Sequence, residues 1–226
     1  MEQREEIIKS IVAIEWEMFT TVNEGESRAS CQDDHPAFEG MRTAQFTAWP
    51  LVASQSYLDD LATALRDDRN LVEEKYIHMM KTTEPTHYAA LLSRIINPSE
   101  AVQSLAQEVS DKLLEQTRIL YEDFPYVSGH GRPLYSALDY SSISVETYQL
   151  GELLTYSEST LKALKEHIVA LESDGVSLAR QILENTVGFY GYKTLESAEK
   201  ATKDRIDKMG IQISYGCCSQ EDDVNE

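Results

Sequence analysis

Leu150, Leu154, Leu161, Leu164, Ile168 and Leu171 follow one another at intervals of four, seven, three, four and three. Those intervals put all six on one face of an α-helix, whereas a strand would scatter them over both faces. The pattern predicts one long helix from about Ser144 to Glu172, closed by Asp174-Gly175. A buried stripe of that length needs other helices to cover it. Only 10 Gly and 6 Pro interrupt the 226 residues, so there is little punctuation for many short strands. The expected fold is all-α: a single multi-helix domain over residues 1–210, packed around the helix near 144–172. Beyond Gly210 the chain ends in Glu221-Asp222-Asp223, which predicts a mobile acidic tail over 211–226.

The same periodicity marks the other helices. Ile7, Ile8, Ile11, Val12, Met18 and Phe19 form the inner face of a first helix running to about Asn23. His35-Pro36 opens a second, with Phe38, Met41, Gln45 and Trp49 on one stripe before Pro50 turns the chain. Helices are expected over Pro50–Asn70, over Leu71–Lys81 and from Glu84-Pro85 through Ile95. Asn97-Pro98-Ser99-Glu100 reads as a start signal with Asn97 as N-cap, for a helix to about Tyr121. Phe124–Tyr140, with Pro125, Gly129, Gly131 and Pro133, reads as irregular. Val176–Val187 and Thr194–Met209 complete the set.

Charge narrows the function classes. With 20 basic and 39 acidic residues the formal net charge is −19. Such a surface repels phosphate backbones and anionic lipids, so neither nucleic acid nor a membrane is an expected partner. No stretch is apolar for long enough to span a bilayer, and no signal peptide precedes the first helix. The cysteines are Cys31, Cys217 and Cys218. An odd number, two of them adjacent, does not make a disulfide framework, so three free thiols in a reducing, cytoplasmic setting are expected.

Several polar residues occupy apolar positions. Glu15 has Ile11, Met18 and Phe19 at −4, +3 and +4, in the middle of the first helix's inner face. A lone buried carboxylate is costly, so it needs a partner or a proton. A structural ion pair meets that need, and so does a site carboxylate. Arg42, flanked by Phe38, Phe46 and Trp49, is the natural partner, and Gln45 lies within the same stripe. The two helices are joined by a short segment, which favours their packing together. Within that segment Cys31 and His35 stand four apart, a weak metal-ligand spacing without a second matching pair. The alternatives there are caps at Asp33 and Asp34 with Cys31 as a small buried residue, or a thiol that meets substrate.

Six of the 12 tyrosines lie between Tyr121 and Tyr156. Tyr148, Glu152 and Tyr156 form an i, i+4, i+8 line beside the leucine stripe, and Asp139 with Tyr140 closes the irregular segment before it. Phenols serve equally as core packing and as pocket lining, being apolar with one polar tip. Ser128-Gly129-His130-Gly131-Arg132 offers backbone amides and a cation to an anion but lacks the lysine and serine of a phosphate loop.

Arg28-Ala29-Ser30-Cys31-Gln32-Asp33-Asp34, then Met41-Arg42, Gln45 and Trp49, resembles the signature of an uncharacterised, largely bacterial family, domain of unknown function 4125. Gly131-Arg132-Pro133-Leu134, Glu146-Thr147-Tyr148 with Gly151 to Ser157, and Tyr190-Gly191-Tyr192 resemble its later blocks. The resemblance implies that Cys31, Asp33, Arg42, Gln45, Arg132, Glu146 and Glu152 belong to the family pattern. It implies no activity and no cofactor. The resemblance also implies that some relatives follow a nucleotidyltransferase-like domain, which for this chain would be absent or a separate partner.

The leading expectation is a protein that binds or processes a small polar or aromatic molecule, with an anionic group as one option. Glu15, Glu152 and Cys31 are the candidate catalytic groups, the carboxylates as general acid or base. Arg42, Gln45, Trp49, Arg132, Asp139, Tyr140, Glu146, Tyr148 and Tyr156 are the candidate substrate-binding residues. The alternatives are a non-catalytic interaction domain whose buried ion pair fixes helix register, and a metal-dependent enzyme using Cys31 and His35.

Overall fold

The computed structural model describes residues 2–22, 30–129, 132–136 and 143–210. The described residues form an all-α domain of eleven helices, without a strand. In chain order these are α1 (Glu2–Thr21), α2 (His35–Ala48), α3 (Leu51–Arg66), α4 (Leu71–Thr83), α5 (Pro85–Leu91), α6 (Glu100–Asp123), α7 (Pro125–Ser128), α8 (Val145–Leu153), α9 (Glu158–Ser173), α10 (Leu178–Phe189) and α11 (Leu195–Met209).

The main core joins α1, α2, α3, α6 and α9 through Ile11, Phe46, Leu61, Val109, Leu161 and Ile168, each without exposed surface, and α8 adds Leu153. Around it α1 packs on α2 and α3, α2 on α10, α4 on α8, and α9 on both α3 and α6. A smaller cluster under Leu120, Phe124, Val187 and Leu195 seats α7 and α11 at one end.

The span expected as one helix over 144–172 is two. α8 ends at Leu153, and α9 restarts at Glu158 behind Ser157, whose hydroxyl accepts the Thr160 amide at 3.3 Å. Asp60 on α3 completes the break, accepting the Ser157 amide at 3.0 Å and the Thr160 hydroxyl at 2.7 Å. A carboxylate from another helix, not a Gly or Pro in the span, ends α8 and starts α9. The leucine stripe survives the break because both halves face the same core.

Other local differences follow from capping. Ser99, not Asn97, caps α6, accepting the Val102 amide at 3.2 Å. Asp34 caps α2 through the Ala37 amide at 3.1 Å. The stretch expected to be irregular from Phe124 holds the short α7, whose Tyr126 and Val127 amides are both accepted by Glu199 of α11. Met41, expected on the apolar stripe of α2, is 51% exposed. Cys31 is exposed, not buried. Cys217, Cys218, the acidic tail, Asp139 and Tyr140 lie outside the described residues.

Candidate functional site

Five helices each bring polar side chains to one interior point. Glu15 comes from α1, Arg42 and Gln45 from α2, Tyr57 from α3, Lys75 from α4, and Tyr148 with Glu152 from α8. Each sits on the inward face of its helix: Lys75 lies between Leu71 and Met79, Tyr57 between Ala53 and Leu61, all buried.

Glu15 and Arg42 meet as the periodicity required. The guanidinium grips the carboxylate at both ends, Nε to Oε2 at 2.7 Å and Nη2 to Oε1 at 2.5 Å. Tyr57 adds its hydroxyl to Oε1 at 2.7 Å. The Glu15 side chain is 2% exposed. A bidentate guanidinium plus a phenol supplies the donors that make such burial tolerable. The guanidinium also lies 4.9 Å from the centre of the Phe46 ring.

Arg42 is shared. Its Nη1 donates to Gln45 at 2.9 Å and to Glu152 at 3.0 Å. Glu152 takes three further donors: Gln45 at 3.3 Å, Lys75 at 2.6 Å and the Tyr156 hydroxyl at 2.6 Å. Burial alone would push the Glu152 carboxyl up. The Arg42 and Lys75 charges, with the hydrogen bonds from Lys75 and Tyr156, outweigh it and hold the group well below the usual carboxylate range. Burial, then the neighbouring carboxylates, push both Tyr57 and Tyr156 well up, so both phenols stay protonated donors.

This arrangement does not suit Glu152 to the acid–base role expected for it. Both of its oxygens are engaged, and it holds its charge far below neutral pH. The oxygens of Glu15 are likewise occupied by Arg42 and Tyr57. The two carboxylates are placed to hold cations.

The network borders open space. A cavity of about 550 Å³ is lined by Glu15, Arg42, Lys75, Glu152, Tyr148 and Arg132, with Phe38, Met41 and Cys31 among its other walls. At its edge the Lys75 ammonium lies 3.5 Å, and the Arg132 guanidinium 4.8 Å, from the centre of the Tyr148 ring. Arg132 is exposed, and its one hydrogen bond among the described residues runs from Nη1 to the Ile143 carbonyl at 3.1 Å. It is the cation of this wall with no carboxylate partner among those residues.

Behind Glu152 lies a second cavity of about 410 Å³, to which Trp49, Tyr156 and Gln45 contribute along with Arg132 and Tyr148. Trp49 is 3% exposed and meets Phe46 edge to face at 4.9 Å. Of the expected residues, Glu15, Arg42, Gln45, Glu152 and Tyr156 join one hydrogen-bonded network, Tyr148 and Arg132 adjoin it, and Cys31 reaches the cavity wall. Glu146 stands apart: it accepts the amide and hydroxyl of Ser136 at 3.1 and 3.0 Å, bracing the segment that carries Arg132. His35 packs edge to face on Trp16 at 4.7 Å. Among the described residues no group of three or more His, Cys, Asp or Glu could hold a metal ion, so Cys31 and His35 gain no third ligand there.

Tyr57 and Lys75 were not anticipated. Like Glu15, each has buried apolar neighbours four residues away on either side.

No described helix is long and apolar enough to cross a membrane. A family model described as a protein of unknown function, DUF4125, matches residues 5–200. No curated protein and no solved structure matches the chain.

Proposed function

The chain belongs to the DUF4125 family, and we propose that it binds a small organic anion in the cavity between α1, α2, α4 and α8, with Arg132 as the cation that meets the ligand. The family description carries no activity, so the reading rests on the site. The single observation behind it is that a buried charge network borders about 550 Å³ of open space instead of being packed over. That volume lies within the range of small-molecule sites. Networks that serve only to fix a core gain nothing from an adjoining void, because a void forfeits packing contacts.

In this reading Glu15 and Glu152 fix Arg42 and Lys75, the Tyr148 ring braces Lys75 and Arg132, and the anion takes the Arg132 donors that have no partner among the described residues. Phe38 and the ring of Tyr148 offer the ligand's body an apolar wall. The net charge of −19 opposes any anion at long range. That field is screened within about 8 Å at physiological salt. The site cations act across hydrogen-bond distances, so the local attraction prevails.

Thermal shift with benzoate and with inorganic phosphate tests the proposal. A ligand at ten times its Kd adds about 1.4 kcal/mol, which is about 3–6 °C for a chain of this size. Arg132→Gln should keep the unliganded melting temperature and lose the shift. No shift with either probe, or the same shift in Arg132→Gln, refutes it.

The second reading is an interaction domain in which the network only fixes helix register. The saturation of both carboxylates favours it. It predicts that every cavity-facing substitution acts on stability alone.

A further inference from the structure

The 410 Å³ chamber behind Glu152 has its own chemistry. Leu113, Leu120, Leu153, Leu164, Leu178 and Ile182 are among its walls. Most of the polar side chains that reach it are already partnered. Thr117 donates to the Leu113 carbonyl at 2.8 Å and Thr186 to the Ile182 carbonyl at 2.8 Å. Ser128 donates to the carbonyls of Leu120 and Phe124, and Gln149 is held by Ser110. Tyr121 donates to the Arg132 carbonyl at 3.1 Å, while Gln45, Glu152 and Tyr156 belong to the ion network. Arg132 is the one cation on this wall, and it carries donors without a partner among the described residues; the Tyr148 hydroxyl and the Trp49 indole are the neutral donors beside it, and Arg132, Tyr148 and Glu152 also border the polar cavity.

The surface lining this space is mostly apolar, and apolar cavities take hydrocarbon. We propose that the chamber receives the hydrocarbon part of the ligand while its anionic group lies at Arg132. The ligand class is a monoanionic amphiphile: a carboxylate or similar head on an alkyl chain. The proposal rests on the anion site described above and adds the ligand's apolar half. Its length follows from volume. A cavity of about 150 Å³ lined by Leu, Ile and Phe holds one benzene. On that scale the 410 Å³ here corresponds to roughly sixteen carbons. Charge and hydrocarbon meet at one residue, which is the arrangement an amphiphile requires.

Trp49 lines the chamber and Trp16 does not, so Trp16→Phe leaves a reporter inside the proposed site. In that background, titration with linear carboxylates from butanoate to octadecanoate, read by fluorescence, tests the proposal. Affinity should rise roughly fourfold per methylene buried and level off near the length the chamber accommodates. Dodecanol should bind at least tenfold more weakly than dodecanoate, and Arg132→Gln should erase that difference. Leu183→Trp, which fills the chamber, should weaken dodecanoate tenfold or more and leave benzoate unchanged. The length series needs no chamber variant, so it decides the matter even where Leu183→Trp fails to fold. Dodecanoate binding no tighter than butanoate overturns the inference. If benzoate still binds through Arg132 in that case, the anion site stands without its apolar half. If neither benzoate nor dodecanoate binds, both proposals fall.

Discussion

Glu15→Gln removes one charge and reverses one donor–acceptor pair in an otherwise complete network. Gln keeps a single acceptor oxygen, which at the Oε1 position still accepts from Tyr57 and from Arg42 Nη2 but without the carboxylate's charge. Its amide then faces Arg42 Nε donor to donor, where the carboxylate now accepts at 2.7 Å. One charge-assisted bond, worth about 1.5–3 kcal/mol, is reversed, and those to Oε1 are weakened by the loss of charge. Arg42 keeps Glu152 at 3.0 Å and Gln45 at 2.9 Å, so it is not left without a counter-charge. A net cost of about 3–5 kcal/mol is expected, as for other buried pairs broken from one side. For a chain of this size that is roughly 6–20 °C in melting temperature. Glu15→Gln combined with Arg42→Met should recover part of the loss, because both buried charges are then gone and Glu152 retains Lys75, Gln45 and Tyr156. The assay is denaturant unfolding of the two single variants and the double variant, read as a coupling energy. A single-variant cost below about 1 kcal/mol, or strictly additive costs, would refute the claim that this pair is buried and mutually dependent.

Three further outcomes follow from other parts of the domain. His78 is 6% exposed with Nε2 unpartnered among the described residues, and burial, then Lys81, lowers its pKa to about 4. A base whose folded pKa is depressed stabilises the fold above its unfolded value, so its contribution should be complete above about pH 6.5 and lost as pH falls toward 4, by at most about 3 kcal/mol. Wild type minus His78→Leu, followed by denaturation across that window, isolates the effect. At Gly151 an added Cβ would stand 2.7 Å from Met79 Cγ and 3.0 Å from the Lys75 carbonyl, where α8 meets α4. Gly151→Ala should cost about 1–3 kcal/mol and loosen the Lys75–Glu152 contact, seen as a lower denaturation midpoint. Ser157→Ala should cost about 1 kcal/mol by removing the α9 cap; an unchanged melting temperature would mean that Asp60 alone suffices at the break.

Much of this was legible because helical periodicity reports which side of a residue is buried. Glu15 and Arg42 each lie among large apolar neighbours, and an uncompensated buried charge is too costly to leave alone, so their meeting could be argued before any coordinates. Tyr57 and Lys75 were legible by the same rule but were passed over, since the spacing of Leu71 with Met79 and of Ala53 with Leu61 is less conspicuous than a run of leucines. The break between α8 and α9 was not legible. Ser157 is a local cap, but Asp60, nearly a hundred residues earlier, also holds the break through the Ser157 amide and the Thr160 hydroxyl, and no nearby residue reports it. The apolar chamber is of the same kind: a void is a property of how α2, α6, α8, α9 and α10 fail to close on one another, and no single segment records it. The low proton affinity of Glu152 depends on Arg42 and then Lys75 arriving from α2 and α4, which the spacing within α8 could not foretell.

The central claim is that the charge network serves a ligand site with Arg132 as its contact cation. Calorimetric titration of benzoate into the wild-type protein and into Arg132→Gln tests it most directly, because Arg132 is exposed and its loss removes a ligand contact with little effect on the core. The account predicts saturable binding at one site in the wild type, at least tenfold weaker in the variant, with equal unfolding free energies for the two unliganded proteins. Equal binding by both proteins, or no saturable binding by the wild type, would contradict it.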